Sequence, residues 1–129
     1  MKDAFMTESV ALSNAANTVN TNGILLPQQA VRPFTNDIRV RLSTTAATGA
    51  NNKNLTIVLQ ASNEAAANYA NVTGLSSIVI AEVATAYAAT EREITLPPET
   101  DKLYLRASCT GEANGGDASD GTLTIEVIG

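Results

Sequence analysis

The stretch Leu55-Thr56-Ile57-Val58-Leu59-Gln60-Ala61 sets Leu, Ile, Leu and Ala at its odd positions and Thr, Val and Gln between them. Successive side chains of an extended strand point to opposite faces of a sheet, so this spelling buries one face and leaves the other to solvent. The alternation recurs outward from it. Ile38, Val40 and Leu42 are interleaved with Arg39, Arg41 and Ser43, and Leu123, Ile125 and Val127 with Thr122, Thr124 and Glu126. Residues 78–83, 93–96 and 102–109 add further strands, punctuated by Pro97-Pro98-Glu99-Thr100-Asp101 and by polar loops over 44–54 and 110–121. Short strands at near-regular spacing predict an all-β, jelly-roll-like β-sandwich of about six to eight antiparallel strands. The 44–54 loop predicts a hairpin joining the strands on either side of it, and residues 122–128 are expected to pair with 102–109. Ser62 to Gly74 is the one place where a helical turn is expected, with Ser62 as its cap.

Residues 1–33 read as an extended N-terminal arm and residues 34–129 as the sandwich domain. Val10-Ala11-Leu12 and Gly23-Ile24-Leu25-Leu26 are short apolar patches separated by an Asn-, Ala- and Thr-rich stretch. Pro27 and Pro33 each remove a backbone donor and bias the preceding residue away from helix. A first strand pair packed on the domain is the alternative reading of the same residues.

Composition narrows the chemistry. The 129 residues contain no histidine, which rules out a Ser-His-Asp triad, a Cys-His dyad and histidine-ligated zinc. Cys109 is the single cysteine, so no intrachain disulfide can form, and its place in an alternating run makes it a small buried hydrophobe. A net charge of −5 opposes phosphate backbones and anionic lipid, so neither nucleic acid nor a membrane is an expected partner. Charged residues make up 16 % of the chain against about 25 % in average globular proteins, which predicts a surface suited to other proteins. Asp3 and Glu8 interrupt the N-terminus where a signal peptide needs an apolar core, and no run nears the roughly 20 apolar residues of a membrane span. The expectation is a chain made and kept in a cytoplasm.

Few constellations suit a reaction. Glu112, Asn114, Asp117 and Asp120 offer oxygen ligands on a glycine-rich loop, but their spacing fits no calcium motif, and a solvated loop is the simpler reading. Glycoside cleavage needs two acids in one cleft beside sugar-binding aromatics; Glu91 and Glu93 stand at strand spacing, as many solvent-facing pairs do. No cofactor, metal or catalytic residue is therefore assigned, and the chain is expected not to be an enzyme. Arg32, Arg39 and Arg41 form either a cationic stripe for an acidic partner or solvated charges guarding a strand edge.

The succession Leu55 to Asn63, Asn71-Val72-Thr73-Gly74-Leu75, Leu96-Pro97-Pro98, Leu103-Tyr104-Leu105-Arg106-Ala107, Gly115-Gly116-Asp117 and a final Thr-rich strand resembles capsid decoration (cement) proteins of tailed bacteriophages, over roughly residues 37–129. The resemblance implies a jelly-roll-like domain, self-associated as a homodimer or homotrimer. It would be synthesised in the cytoplasm of a bacterial host and bound to the major capsid protein on the outer surface of the virion. It implies no catalytic residues. Phe5, Met6, Leu25, Leu26 and Phe34 are then candidate apolar anchors, with Arg32, Arg39 and Arg41 beside them, and removal of residues 1–26 is expected to abolish docking while leaving a folded domain. Two other roles compete: a phage tail-tube or head-completion protein, and a module for carbohydrate or a host surface with a groove lined by Tyr69, Tyr87 or Tyr104.

Overall fold

Alternation decides which face a strand buries, and register decides which strands share a sheet. In the computed structural model of the chain, the described residues are 7–14, 16–25, 39–48, 53–72, 75–83, 86–95, 104–112 and 117–128. They form strands β1 (Thr7–Ala11), β2 (Thr18–Asn20), β3 (Ile24–Leu25), β4 (Arg39–Thr44), β5 (Ala47–Thr48), β6 (Leu55–Ser62), β7 (Ala70–Asn71), β8 (Ile78–Ile80), β9 (Glu82–Val83), β10 (Ala86–Tyr87), β11 (Thr90–Thr95), β12 (Tyr104–Gly111) and β13 (Thr122–Ile128). One sheet runs β1-β13-β4-β11. The second runs β2-β12-β6-β7, with β3 also on β12 and β8 also on β6. Every pairing is antiparallel, including the ribbon β5-β10-β9 that prolongs the β4–β11 ladder.

Short strands merge into longer segments where one or a few residues separate them, as β2 with β3, β4 with β5, β8 with β9 and β10 with β11. Apart from the two-residue β7, the described strands then form eight segments in chain order. The first, eighth, third and sixth share one sheet, and the second, seventh, fourth and fifth share the other. This order, in which the segments change layer at each step except between the fourth and fifth, is jelly-roll order, as the sequence predicts.

The expected neighbours differ from the observed ones. β4 and β6 lie in opposite sheets, so the 44–54 connection crosses the sandwich and is not a hairpin. β13 pairs with β1 and β4, while β12 pairs with β6 through eight successive residues, from Tyr104 opposite Ser62 to Gly111 opposite Leu55. The physical reason is that alternation fixes which face a strand buries and leaves its lateral neighbour open, since either pairing would turn these faces into one core. Leu105, Ala107 and Cys109 from β12 and Leu55, Ile57 and Leu59 from β6 belong to one core with Val40 and Leu42 from β4 and Leu123, Ile125 and Val127 from β13.

The helical turn after Ser62 is also absent, since residues 63–67 form a series of bends. Ser62 Oγ accepts from the Glu64 N–H (3.0 Å), as a cap would, but it donates to the Ala67 carbonyl (2.5 Å) and closes a loop. Asn68 follows at φ 61°, the left-handed region that ends any helix.

Residues 7–25, inside the stretch read as an arm, supply strands to both sheets where they are described. β1 pairs with β13 from Thr7 to Ala11, and β2 and β3 flank β12. Leu12 and Ile24 are buried to 2 % and 1 % exposure, and the Thr21 hydroxyl accepts from the Ala107 N–H at 3.0 Å. Burial of each such side chain contributes about 1.5–3 kcal/mol, in a domain whose whole stability is typically about 5–15 kcal/mol. A chain lacking residues 1–26 is therefore expected to lose its cooperative unfolding transition in circular dichroism. A shortened chain that melts like the full one would show these strands to be dispensable.

Candidate functional site

The two outer faces of the sandwich differ in charge. On the first sheet, Arg41 lies opposite Glu126 on one side and Glu93 on the other, while Arg39 lies opposite Thr95. Arg39 Nη1 donates to Glu93 Oε1 at 3.1 Å, and Arg41 Nη1 to Glu126 Oε1 at 3.3 Å. Ser9 and Thr124 share a hydroxyl hydrogen bond of 3.0 Å one row away. β4 is an interior strand, so these arginines guard no edge; each is paired with a glutamate from a neighbouring strand. The exposed Arg39 pair contributes about 0–1 kcal/mol at most. Glu126 is only 6 % exposed, so the Arg41 pair is the better shielded of the two and the costlier to break.

On the second sheet, β12 turns Tyr104, Arg106 and Thr110 outward, with Ser108 covered between them, and β6 turns out Thr56, Val58 and Gln60. Register aligns Arg106, Gln60 and Asn71 in one row across β12, β6 and β7. Arg106 Nε donates to Gln60 Oε1 (2.9 Å), and Gln60 Nε2 donates to Asn71 Oδ1 (3.1 Å). The 63–69 loop brings the Tyr69 ring over the Arg106 guanidinium, 4.0 Å from its centroid, with the phenol donating to the Ala65 carbonyl (2.8 Å). Gly23 permits this approach: a Cβ there would collide with Tyr69 Oη and lie 2.9 Å from the Ala65 oxygen. Tyr104 sits one row below, between Leu25 and Ser62. Arg106 is the single formal charge among the described strand positions on this face. Leu25 (52 % exposed) and Val79 (54 %) also lie on it, at opposite edges.

The remaining candidates are ties of the fold. Glu112 accepts from the Asn54 N–H (2.5 Å), and Asp120 from the Thr48 N–H (3.1 Å) and hydroxyl (3.1 Å). Asp117 accepts from the Ser119 N–H (2.9 Å), and hydrogen bonding from Ser119 holds its carboxyl below the usual range. Asn114 lies outside the described residues, among which no group of three or more His, Cys, Asp or Glu is placed to hold a metal. Burial pushes the Cys109 thiol up, against the partial opposition of its hydrogen bonds with Ser13, so the neutral thiol is favoured over the nucleophilic thiolate. Tyr87 is 3 % exposed and its hydroxyl donates to the Lys53 carbonyl (2.7 Å), which removes it from any groove.

Of the residues named from sequence as interface candidates, Phe5, Met6, Leu26, Arg32 and Phe34 lie outside the described residues. The structure places Leu25 on the outer face of the second sheet and Arg39 and Arg41 on that of the first, so these three do not form one patch. Gln60 and Asn71, which complete the Arg106 row, were not singled out by sequence reasoning. Their only signal is polarity at outward positions, which many strand residues share.

Neither a protein family nor a curated protein matches the sequence. Among solved structures, a family 16 carbohydrate-binding module is similar at 10 % identity and a TM-score of 0.41, covering 90 % of this chain and 73 % of that one. The N-terminal cellulose-binding domain of Cellulomonas fimi β-1,4-glucanase C is similar at 12 % identity and a TM-score of 0.43, covering 97 % and 91 %. A human norovirus GI.7 virus-like particle subunit is similar at 9 % identity and a TM-score of 0.41, covering 93 % of this chain and 28 % of that one. At TM-scores below 0.5 these likenesses assign no function.

Tyr69 reports on the stacked site. Burial favours its neutral phenol and outweighs the opposite pull of the Arg106 charge, so it titrates above the ordinary 10.0. Its contribution to stability is complete below that pH and is lost as pH rises through the folded value. In difference absorbance, Arg106→Gln should move Tyr69 ionisation still higher, with Tyr69→Phe identifying the signal; an unmoved or lower value would dissociate the two groups. Gly23→Ala should displace the loop, read as proteolytic cleavage within 63–69 well before the rest of the chain is cut.

Proposed function

We propose that the chain is a capsid decoration protein that binds the outside of an assembled phage head and stabilises it by bridging major capsid protein subunits. The observation that carries the reading is the use made of its reactive groups. The acids of the 112–120 loop, the thiol and the arginines of β4 are all engaged in holding strands and loops together. With no histidine and no nucleophile set against a base among the described residues, we read the chain as non-enzymatic. What it then offers is surface on a rigid slab. Its mechanism is area and multivalency: about 800 Å² per partner makes an ordinary specific contact, and contacts linked through one rigid body or one homo-oligomer raise each other's effective concentration.

The outer face of the first sheet is the docking side in this reading, because Arg39, Glu91 and Glu93 stand there as exposed charges of both signs. Such a mixed face suits an oriented contact, since misplacement sets like charges together. The self-associated form, whether dimer or trimer, sits on the outer capsid surface. Purified protein should co-sediment with empty heads of its phage and raise their rupture temperature. Arg39→Glu should lower occupancy about tenfold, the scale of about 1.4 kcal/mol of contact energy, without changing the melting temperature of the free protein. Ring or tube assembly by the purified chain, with no binding to heads, would favour the tail-tube or head-completion reading instead.

A further inference from the structure

The row on the opposite face has chemistry that shell docking does not use. We propose that Arg106, Gln60 and Asn71, with Tyr69 and Tyr104 beside them, form a binding site for a neutral saccharide. Sugar hydroxyls are recognised by planar groups that pair with adjacent oxygens, and the apolar face of a pyranose packs on aromatic rings. Both kinds of group meet here. The chain of hydrogen bonds from Arg106 through Gln60 to Asn71 uses Nε of the guanidinium, one N–H of Gln60 and the Asn71 carbonyl oxygen. The two terminal nitrogens of Arg106, the second N–H of Gln60 and the Asn71 amide nitrogen are the donors that a ligand would take up.

Preorganisation supports the assignment. Each long side chain is held by the next, and the guanidinium is further held by Tyr69, so ordering them for a ligand costs less than ordering free surface side chains would. Two interstrand spacings, from β12 to β7, span about 10 Å, enough for a short oligosaccharide to lie along the row. Tyr104 and the exposed Leu25 form an apolar flank at the β3 edge, where the 63–69 loop also packs against Gly23, and Asn71 marks the other end of the row.

The same features select a neutral ligand. Arg106 already lies against the Tyr69 ring and the Gln60 oxygen, and the chain as a whole carries −5, so an anion gains little here. An apolar peptide anchor has a better place elsewhere, in the cleft of about 250 Å³ lined by Leu75, Ile78 and Ile94 between the sandwich edges at β8 and β11. The site lies on the face turned away from the proposed docking side, so a decorated head would display it outward.

The test uses the full-length free protein and no capsids, so its outcome is separate from that of shell binding. Amide NMR spectra are recorded during titration with cellotetraose, chitotetraose and maltotetraose, and with trigalacturonate as an acidic counterpart. Saturable shifts confined to the side-chain amides of Gln60 and Asn71 and the backbone around Tyr104 and Arg106, with at least one neutral probe, are expected. Gln60→Ala and Tyr104→Ala should each weaken binding about tenfold or more while core resonances stay in place. Should Tyr104→Ala disturb the fold, Leu25→Ala at the exposed flank should weaken binding with the fold intact. No saturable shift with any neutral probe, a response to trigalacturonate alone, or shifts centred away from this row would overturn the proposal.

Discussion

The rest of the structure depends on the ladder between β12 and β6. It joins residues about fifty apart in sequence along two full strands, and its inner face carries Leu105, Ala107 and Cys109, each with no exposed surface. Small side chains at 107 and 109 let the opposing sheet approach, where Leu123, Ile125 and Val40 are buried as completely. Close packing of that kind makes interiors intolerant of a volume change by even one methylene. Ser13 and Cys109 show how tightly the entry chain is held: the hydroxyl lies 3.8 Å from the thiol, both fully buried. The N-terminal strands are thus sealed against the ladder, and the outer-face row is mounted on its reverse side.

The class of fold and the buried face of each long strand were legible in the spelling. Val40, Leu42, Leu55, Ile57, Leu59, Leu123, Ile125 and Val127 are all buried, as alternation requires. Partners were not legible. Periodicity tells which way a side chain points and says nothing of which strand lies alongside, so β4 and β6 were expected to form a hairpin and instead face one another across the core. Loop length misled for the same reason, because a polar connection of this size can turn back beside its strand or cross to the other layer.

The N-terminal strands were hidden by their composition. β1 is Thr-Glu-Ser-Val-Ala and β2 only Thr-Val-Asn, with too few apolar positions to announce a buried face. The residues that bury most deeply there, Leu12, Ser13, Thr21 and Ile24, sit beside or between the strands, and two of them are polar. Thr21 is satisfied by the Ala107 backbone on the far side of the chain, a partnership that a local reading cannot supply. The Arg106 row is a stronger case. Arg106 and Gln60 are 46 residues apart, and Tyr69 reaches the guanidinium only because the Ser62 hydroxyl ties the following loop shut and Asn68 turns left-handed before it.

Polar side chains do two kinds of work in this chain, and the difference separates its two faces. On the first sheet, Arg39 and Arg41 each meet a carboxylate from an adjacent strand, which closes the charges on each other and ties β4 to both of its neighbours. On the second, the guanidinium meets an amide and an aromatic ring, so the row is held in place while most of its hydrogen-bonding capacity is left facing outward. An ion pair satisfies both of its members, whereas an amide that accepts through its oxygen still has N–H groups to give. Ion pairs therefore stiffen one sheet, while a row of amides with N–H groups to spare spans the other. That both occur here on opposite sides of one core follows from the jelly-roll order, which divides the segments between two layers and leaves each layer its own outer surface.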